Sequence, residues 1–185
     1  VIILILGPVS GAHLNPAVTL VLTAARRCRR SDVVPYIVAQ IAGGIAGVAL
    51  ANLMFDLPML ALSDTVRSGA SQWLSEGVAA FGLVLVIFGC LAGRRSALPA
   101  AVALYIGAAY WFTASTSFAN PAVTIARSLT PSFAGIAPGD VLAFIVAQLI
   151  GAGLAGLVGV RLWPRLRQGI AIAPPPSPLV QTPRR

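Results

Sequence analysis

The chain has 185 residues, 57% of them hydrophobic and 10% charged, whereas a soluble globular domain carries about a quarter charged residues. This composition excludes an ordinary soluble domain and implies an integral membrane protein. The net charge of +8 comes from arginines that lie between apolar runs rather than on one polar face, so it reads as membrane topology and not as a nucleic-acid surface.

Residues 1–6 are apolar, too short to cross a bilayer, and lack the basic start of a signal peptide. They read as the end of a helix that begins upstream, so the chain is expected to be N-terminally incomplete. Residues 7–14 are predicted as a loop. Asn15-Pro16-Ala17-Val18-Thr19 then has the form of a helix start: Asn caps the first turn with its side chain, and Pro fits the first helical position, where its missing N–H costs nothing. The apolar run ends near Ala25, giving a helix of ~15 Å, half of a ~30 Å hydrocarbon core. Arg26, Arg27, Arg29 and Arg30 follow. A full span is predicted over 33–53, with Gln40 and the small residues Gly43, Gly44 and Gly47 that let membrane helices approach closely.

Residues 56–71 read as an external loop, and 72–92 as a span carrying Glu76, the one Glu of the chain. A polar turn at 93–96 leads to a span over 97–116. Ser117-Phe118-Ala119 leads into a second helix start, Asn120-Pro121-Ala122-Val123-Thr124, whose apolar run ends at Leu129. After a loop at 130–140 comes a last span over 141–160 with Gln148. Residues 164–185 are Pro-rich and predicted to be a disordered cytoplasmic tail. Cys28 and Cys90 have neither metal-ligand nor redox spacing and read as unpaired thiols.

Two segments recur in the same order. Asn-Pro-Ala-Val-Thr repeats at an offset of 105 residues (15 to 120), and Tyr36-Ile37-Val38-Ala39-Gln40 returns as Phe144-Ile145-Val146-Ala147-Gln148 at an offset of 108 (40 to 148). Arginines sort onto two sides: Arg26, Arg27, Arg29, Arg30, Arg94, Arg95, Arg161, Arg165 and Arg167 on one, Arg67 and Arg127 on the other. The positive-inside rule makes the first side cytoplasmic. Each short helix must then re-enter from its own side, so the repeats are inverted, and inverted repeats place a pathway at the midplane.

These residues resemble the aquaporin, or major intrinsic protein, family. Ser10-Gly11-Ala12-His13-Leu14-Asn15-Pro16-Ala17-Val18 matches its first signature loop, and Asn120-Pro121-Ala122 its second. The resemblance covers about 1–163. It implies an all-α membrane protein, an inverted-repeat bundle with two re-entrant half-helices and six spans in the full protein, of which about four are complete here. It further implies a homotetramer with one pore per subunit, in the plasma or inner membrane. The implied function is passive permeation of water and small uncharged solutes, such as glycerol, urea-like molecules or neutral metalloid acids. The lipid bilayer is the remaining partner. No cofactor, metal, nucleic acid or bond chemistry is called for. The alternative reading is a secondary transporter with the same repeat layout, which needs an ionisable midplane site that only Glu76 could supply.

The helix starts at Asn15 and Asn120 each present about half a positive charge and a carboxamide donor, which disfavours cations and favours neutral solutes with acceptor oxygens. The resemblance implies an outer constriction narrowed by aromatic and His side chains and by an Arg directly after the second Asn-Pro-Ala. That position is Val123. Counting back from Asn120 puts Ala108 at the fifth-span filter position and Ser117 at the loop position. A filter of Ala108, Ser117 and Val123 is expected to be wide and weakly polar. Arg127 is expected to hydrogen-bond loop carbonyls rather than line the lumen. Glu76 resembles the family Glu that accepts hydrogen bonds from the second signature loop, with a snorkelling interfacial carboxylate as the alternative. His13 either lines the pore mouth or ties down its loop, and Gln40 and Gln148 are expected to be structural.

Overall fold

The structure, a computed structural model, describes residues 1–168. Among these residues it has seven α-helices: α1 (Ile2–Ser10), α2 (Pro16–Ala24), α3 (Val33–Met54), α4 (Ala70–Ala92), α5 (Leu98–Phe112), α6 (Pro121–Arg127) and α7 (Val141–Leu162). Three segments, containing α3, α4 and α7, are long and apolar enough to cross a bilayer.

The repeat seen in two short motifs extends through whole elements. α3 and α7 are both 22 residues long. Each follows a three-residue 3-10 turn that ends in Asp, Arg30–Asp32 and Pro138–Asp140. The short helices α2 and α6 occupy matching positions and begin at proline, with Asn15 and Asn120 as extended N-caps.

Three boundaries differ from the sequence reading. The helix at the start continues through Gly7 and Pro8 to Ser10, where Gly11 closes it at φ 76°. Pro8 forfeits one backbone bond, but the turn after it is only two residues long before the cap. α5 stops at Phe112 rather than 116; Thr113 is extended, a turn follows at 114–115, and Thr116, Ser117 and Ala119 are left-handed. The division at residue 163 also shifts. Pro164–Gln168 forms a 3-10 turn, and Leu166, apolar amid prolines and arginines, is buried with the core. The rest of the predicted tail lies outside the described residues.

The core forms where α4 and α7 pack along each other, joined by α2. It is built from Ala17, Val18 and Leu22, from Ala79, Ala80, Leu83, Val84 and Phe88, and from Ala152 and Ala155. Small residues bring the backbones together: a Cβ on Gly151 would lie 2.0 Å from the Gly77 carbonyl oxygen. α3 packs against α6, and α5 against α4. This arrangement brings the N-termini of α2 and α6 into contact.

Candidate functional site: the junction of two half-helices

Each motif asparagine does two jobs. The Oδ1 of Asn15 accepts from the Ala17 N–H at 2.9 Å, and that of Asn120 from the N–H groups of Ala122 and Val123 at 3.0 and 3.4 Å. The side chains thereby satisfy orphan donors of their own helices. Their amide nitrogens cross over: Asn15 Nδ2 donates to the Ala119 carbonyl at 2.7 Å, and Asn120 Nδ2 donates to the Leu14 carbonyl at 2.9 Å. Each half-helix cap is therefore clasped to the loop that precedes the other. A carboxamide nitrogen carries two hydrogens, so each Asn retains a second N–H beyond its clasp.

Behind each cap stands a matching Thr and Gln. Thr19 and Thr124 donate to the carbonyls of Asn15 and Asn120 at 3.1 and 2.9 Å. Gln40 and Gln148 donate to those threonine hydroxyls at 2.9 and 2.8 Å. The two glutamines thus brace the caps from the repeat-related helices α3 and α7.

The supports of the preceding loops differ. In the first, Gln40 and Tyr36 donate to the carbonyls of His13 and Ser10. In the second, the fully buried Glu76 accepts four bonds: Ser115 Oγ at 2.6 Å, the N–H groups of Phe118 and Ala119 at 2.8 Å each, and Gln148 Nε2 at 2.5 Å. A carboxylate so surrounded is fixed by charge-assisted bonds. It holds open the left-handed turns at Thr116, Ser117 and Ala119, which cost about 1–3 kcal/mol each unless their surroundings enforce them.

One residue that sequence reasoning assigned only to topology proves central. Arg67, on the loop between α3 and α4, donates Nε to the Gly135 carbonyl at 2.7 Å, Nη2 to Phe133 at 3.0 Å and Nη1 to Ser115 at 3.3 Å. Its backbone N–H donates to Asp140 Oδ2 at 2.7 Å. Burial, and then the neighbouring Arg127, push its pKa below the usual guanidinium value, with Glu76 opposing. Asn52 similarly binds the Met59 and Leu129 carbonyls at 3.2 Å each and accepts from Thr130 at 2.7 Å. Neither role had a local signature, since both join loops far apart in the chain.

The junction opens on a cavity of about 610 Å³, lined along α5 from Leu98 to Tyr110. Those twelve steps span about 18 Å. Arg27, Arg95 and Ser96 lie at one end, Asn15, Asn120, His13, Val18 and Val123 line it, and Tyr110, Ser117, Phe118 and Arg127 belong to it as well. Among the described residues its lining contains no carboxylate.

Two expected positions change. Ala108 does not line the cavity but lies on an exposed part of α5. The lining recurs at Leu98, Val102, Ile106 and Tyr110, and two residues from Ile106 or Tyr110 is about 200° around a helix. The count back from Asn120 crosses residues 113–119, which are not helical. Arg127 also departs from its expected role: it lines the cavity and donates to the Tyr110 hydroxyl at 3.0 Å. Arg67 is the arginine that binds loop carbonyls. Ser117 and Val123 are in the lining, as is His13, whose carbonyl is also held by Gln40. The Ser117 hydroxyl and His13 Nδ1 have no hydrogen-bond partner among the described residues.

Two Asn-capped half-helices meeting head to head, each carrying Asn-Pro-Ala, agree with the comparison against family models, where residues 1–159 match the model "Major intrinsic protein". The chain belongs to the major intrinsic protein family. It is 60% identical over 152 residues to Aquaglyceroporin AqpS of Rhizobium meliloti (strain 1021), covering 82% of this chain and 65% of that relative. It is 33% identical over 168 residues to Aquaporin Z of Rhodopseudomonas palustris (strain ATCC BAA-98 / CGA009), covering 83% of this chain and 70% of the relative. Human Aquaporin-2 is 32% identical over 161 residues, with 83% of this chain and 59% of the relative covered. The chain thus spans less than two thirds of the length of the first and last of these. Family membership brings with it the all-α, multi-pass membrane architecture.

Proposed function

We propose that the whole protein is a membrane channel through which water and small uncharged solutes, including glycerol, urea-like molecules and neutral metalloid acids, move down their gradients. The reciprocal clasp of Asn15 and Asn120 in the wall of the cavity carries this reading. Asn15 is fixed by two bonds and Asn120 by three, and each keeps one N–H for a passing oxygen. The positive ends of two short helices surround that point, and the lining offers no carboxylate to a cation. A neutral molecule with acceptor oxygens loses little there, whereas a desolvated cation is opposed.

Val123 and Ser117 form part of the solute filter in this reading, with Tyr110 in the place assigned by sequence to Ala108. The apolar Val123 leaves the passage wider than a guanidinium would. Glu76, the one carboxylate a transporter mechanism could use, is outside the cavity lining and saturated with hydrogen bonds, so a channel is favoured. The arginine distribution puts the C-terminal side in the cytoplasm of a plasma or inner membrane, and the assembly is a homotetramer with a pathway in each subunit. The test is osmotic: vesicles holding the full-length protein, without any ion gradient, are expected to shrink in hyperosmotic medium and re-swell with glycerol faster than empty vesicles. Rates equal to empty vesicles for water and every small neutral solute overturn the reading.

A further inference from the structure

Position 123 holds valine, yet a cation stands one helical turn away at the same end of the cavity. Arg127 donates Nη2 to the Tyr110 hydroxyl at 3.0 Å, and its guanidinium carbon lies 4.3 Å from the centroid of the Phe118 ring. All three residues line the cavity. The Arg127–Tyr110 bond joins α6 to α5, so it limits how far those walls can part. Phe118 is itself immobilised. It is 4% exposed, stands edge-on to Phe144 at 5.5 Å, gives its N–H to Glu76, and has the Arg67 guanidinium 5.0 Å from its ring. A planar guanidinium over an aromatic face with one N–H committed is a pre-organised group. A guanidinium has five N–H donors, which leaves others for solute.

We propose that Arg127 is the selectivity cation of the outer mouth, displaced by one turn from Val123, and that Tyr110 aims it. The inference rests on the channel reading and deepens it. Separating the charge from the wall at Val123 divides two tasks that one side chain would otherwise combine. The Val123 level sets the size limit and stays wide and apolar. Arg127 rejects cations and offers hydrogen bonds to uncharged, oxygen-bearing solutes larger than water.

The experiment compares sodium and glycerol influx through the full-length protein in vesicles for wild type, Arg127→Leu, Arg127→Lys and Tyr110→Phe. Removing the charge is expected to raise the sodium-to-glycerol ratio about tenfold or more, whereas Arg127→Lys keeps it within about threefold of wild type. Tyr110→Phe deletes one oxygen and leaves the fold's packing in place; it is expected to raise the ratio about threefold by releasing the guanidinium. An unchanged ratio in Arg127→Leu overturns the proposal, as does an equal rise in Arg127→Lys. If the leucine variant does not reconstitute, an unchanged ratio in Tyr110→Phe overturns it. A wild-type protein that passes no solute defeats the channel reading instead, before any variant is compared.

Discussion

The two halves of the molecule build the same cap and anchor it differently. Asn15, Thr19 and Gln40 repeat as Asn120, Thr124 and Gln148, with bond lengths that agree within 0.2 Å from Thr to Asn (3.1 and 2.9 Å) and within 0.1 Å from Gln to Thr (2.9 and 2.8 Å). The loops ahead of them share no such pattern. Apart from the Asn clasps, the first is held through its carbonyls by two neutral donors, Gln40 and Tyr36. The second is held through its N–H groups by a buried carboxylate and through its carbonyls by Arg67 and Gln72. Cap geometry is a local property of Asn-Pro, so it repeats with the sequence. Loop anchoring is long-range, and it is in the second half that charge has been brought inside. The half that carries the charged scaffold is also the half where Arg127 stands.

Breaking the stronger anchor should separate the halves most clearly. Glu76→Ala leaves the N–H groups of Phe118 and Ala119, the Ser115 hydroxyl and Gln148 without their acceptor. At about 1–3 kcal/mol per orphaned buried group, partly relieved by rearrangement, the loss is expected to be about 4 kcal/mol or more, with failure to reconstitute solute flux. Gln40→Ala in the other half is expected to cost only about 1–2 kcal/mol. Thermal unfolding of both variants in detergent checks this; equal losses would erase the contrast.

The packing behind the caps differs in the same sense. Gly151 on α7 faces the Gly77 carbonyl so closely that a Cβ would come within 2.0 Å, whereas on α3 a Cβ on Gly44 meets Ala126 Cβ at 3.3 Å and the Ala122 oxygen at 3.4 Å. Gly151→Ala must push apart two backbones and is expected to cost about 2–3 kcal/mol, against less than about 1 kcal/mol for Gly44→Ala. Melting temperatures of the two variants that fall by the same amount would contradict this.

The smallest expected effect concerns what the halves share. Asn15→Ala and Asn120→Ala each remove a cap and a clasp, at about 1–2 kcal/mol apiece. Because each asparagine fixes the loop beside its partner, the double variant is expected to depart from additivity by about 0.5–1 kcal/mol. A double-mutant cycle on unfolding measures this, and strict additivity would mean that the clasps act independently.

Much of this was legible in sequence. Asn-Pro followed by an apolar run reads as a helix start, and two copies with matched followers, placed on opposite sides by the arginines, imply the inverted layout. The Glu76 contacts came through resemblance rather than pattern. Arg67 and Asn52 were opaque because the contacts that define them reach 48 to 77 residues along the chain into loops without periodicity: Arg67 reaches Ser115 and Gly135, and Asn52 reaches Leu129. Ala108 lies outside the cavity lining, and between it and Asn120 α5 ends at Phe112 and three left-handed residues follow. Those conformations are imposed by Glu76 from another helix, not by their own side chains. Arg67 takes the loop carbonyls and Arg127 the Tyr110 hydroxyl, and nothing local in the sequence tells the two arginines apart.

The central claim is that solute passes the Asn15–Asn120 junction along the wall bearing Val123. Substituting Val123→Arg in the full-length protein and measuring glycerol and water permeation in the same vesicles tests it most directly. A guanidinium there narrows the passage, so glycerol flux is expected to fall about tenfold or more while water flux falls by less than about threefold. Glycerol and water rates both equal to wild type would contradict the account, because the solute would then be passing elsewhere.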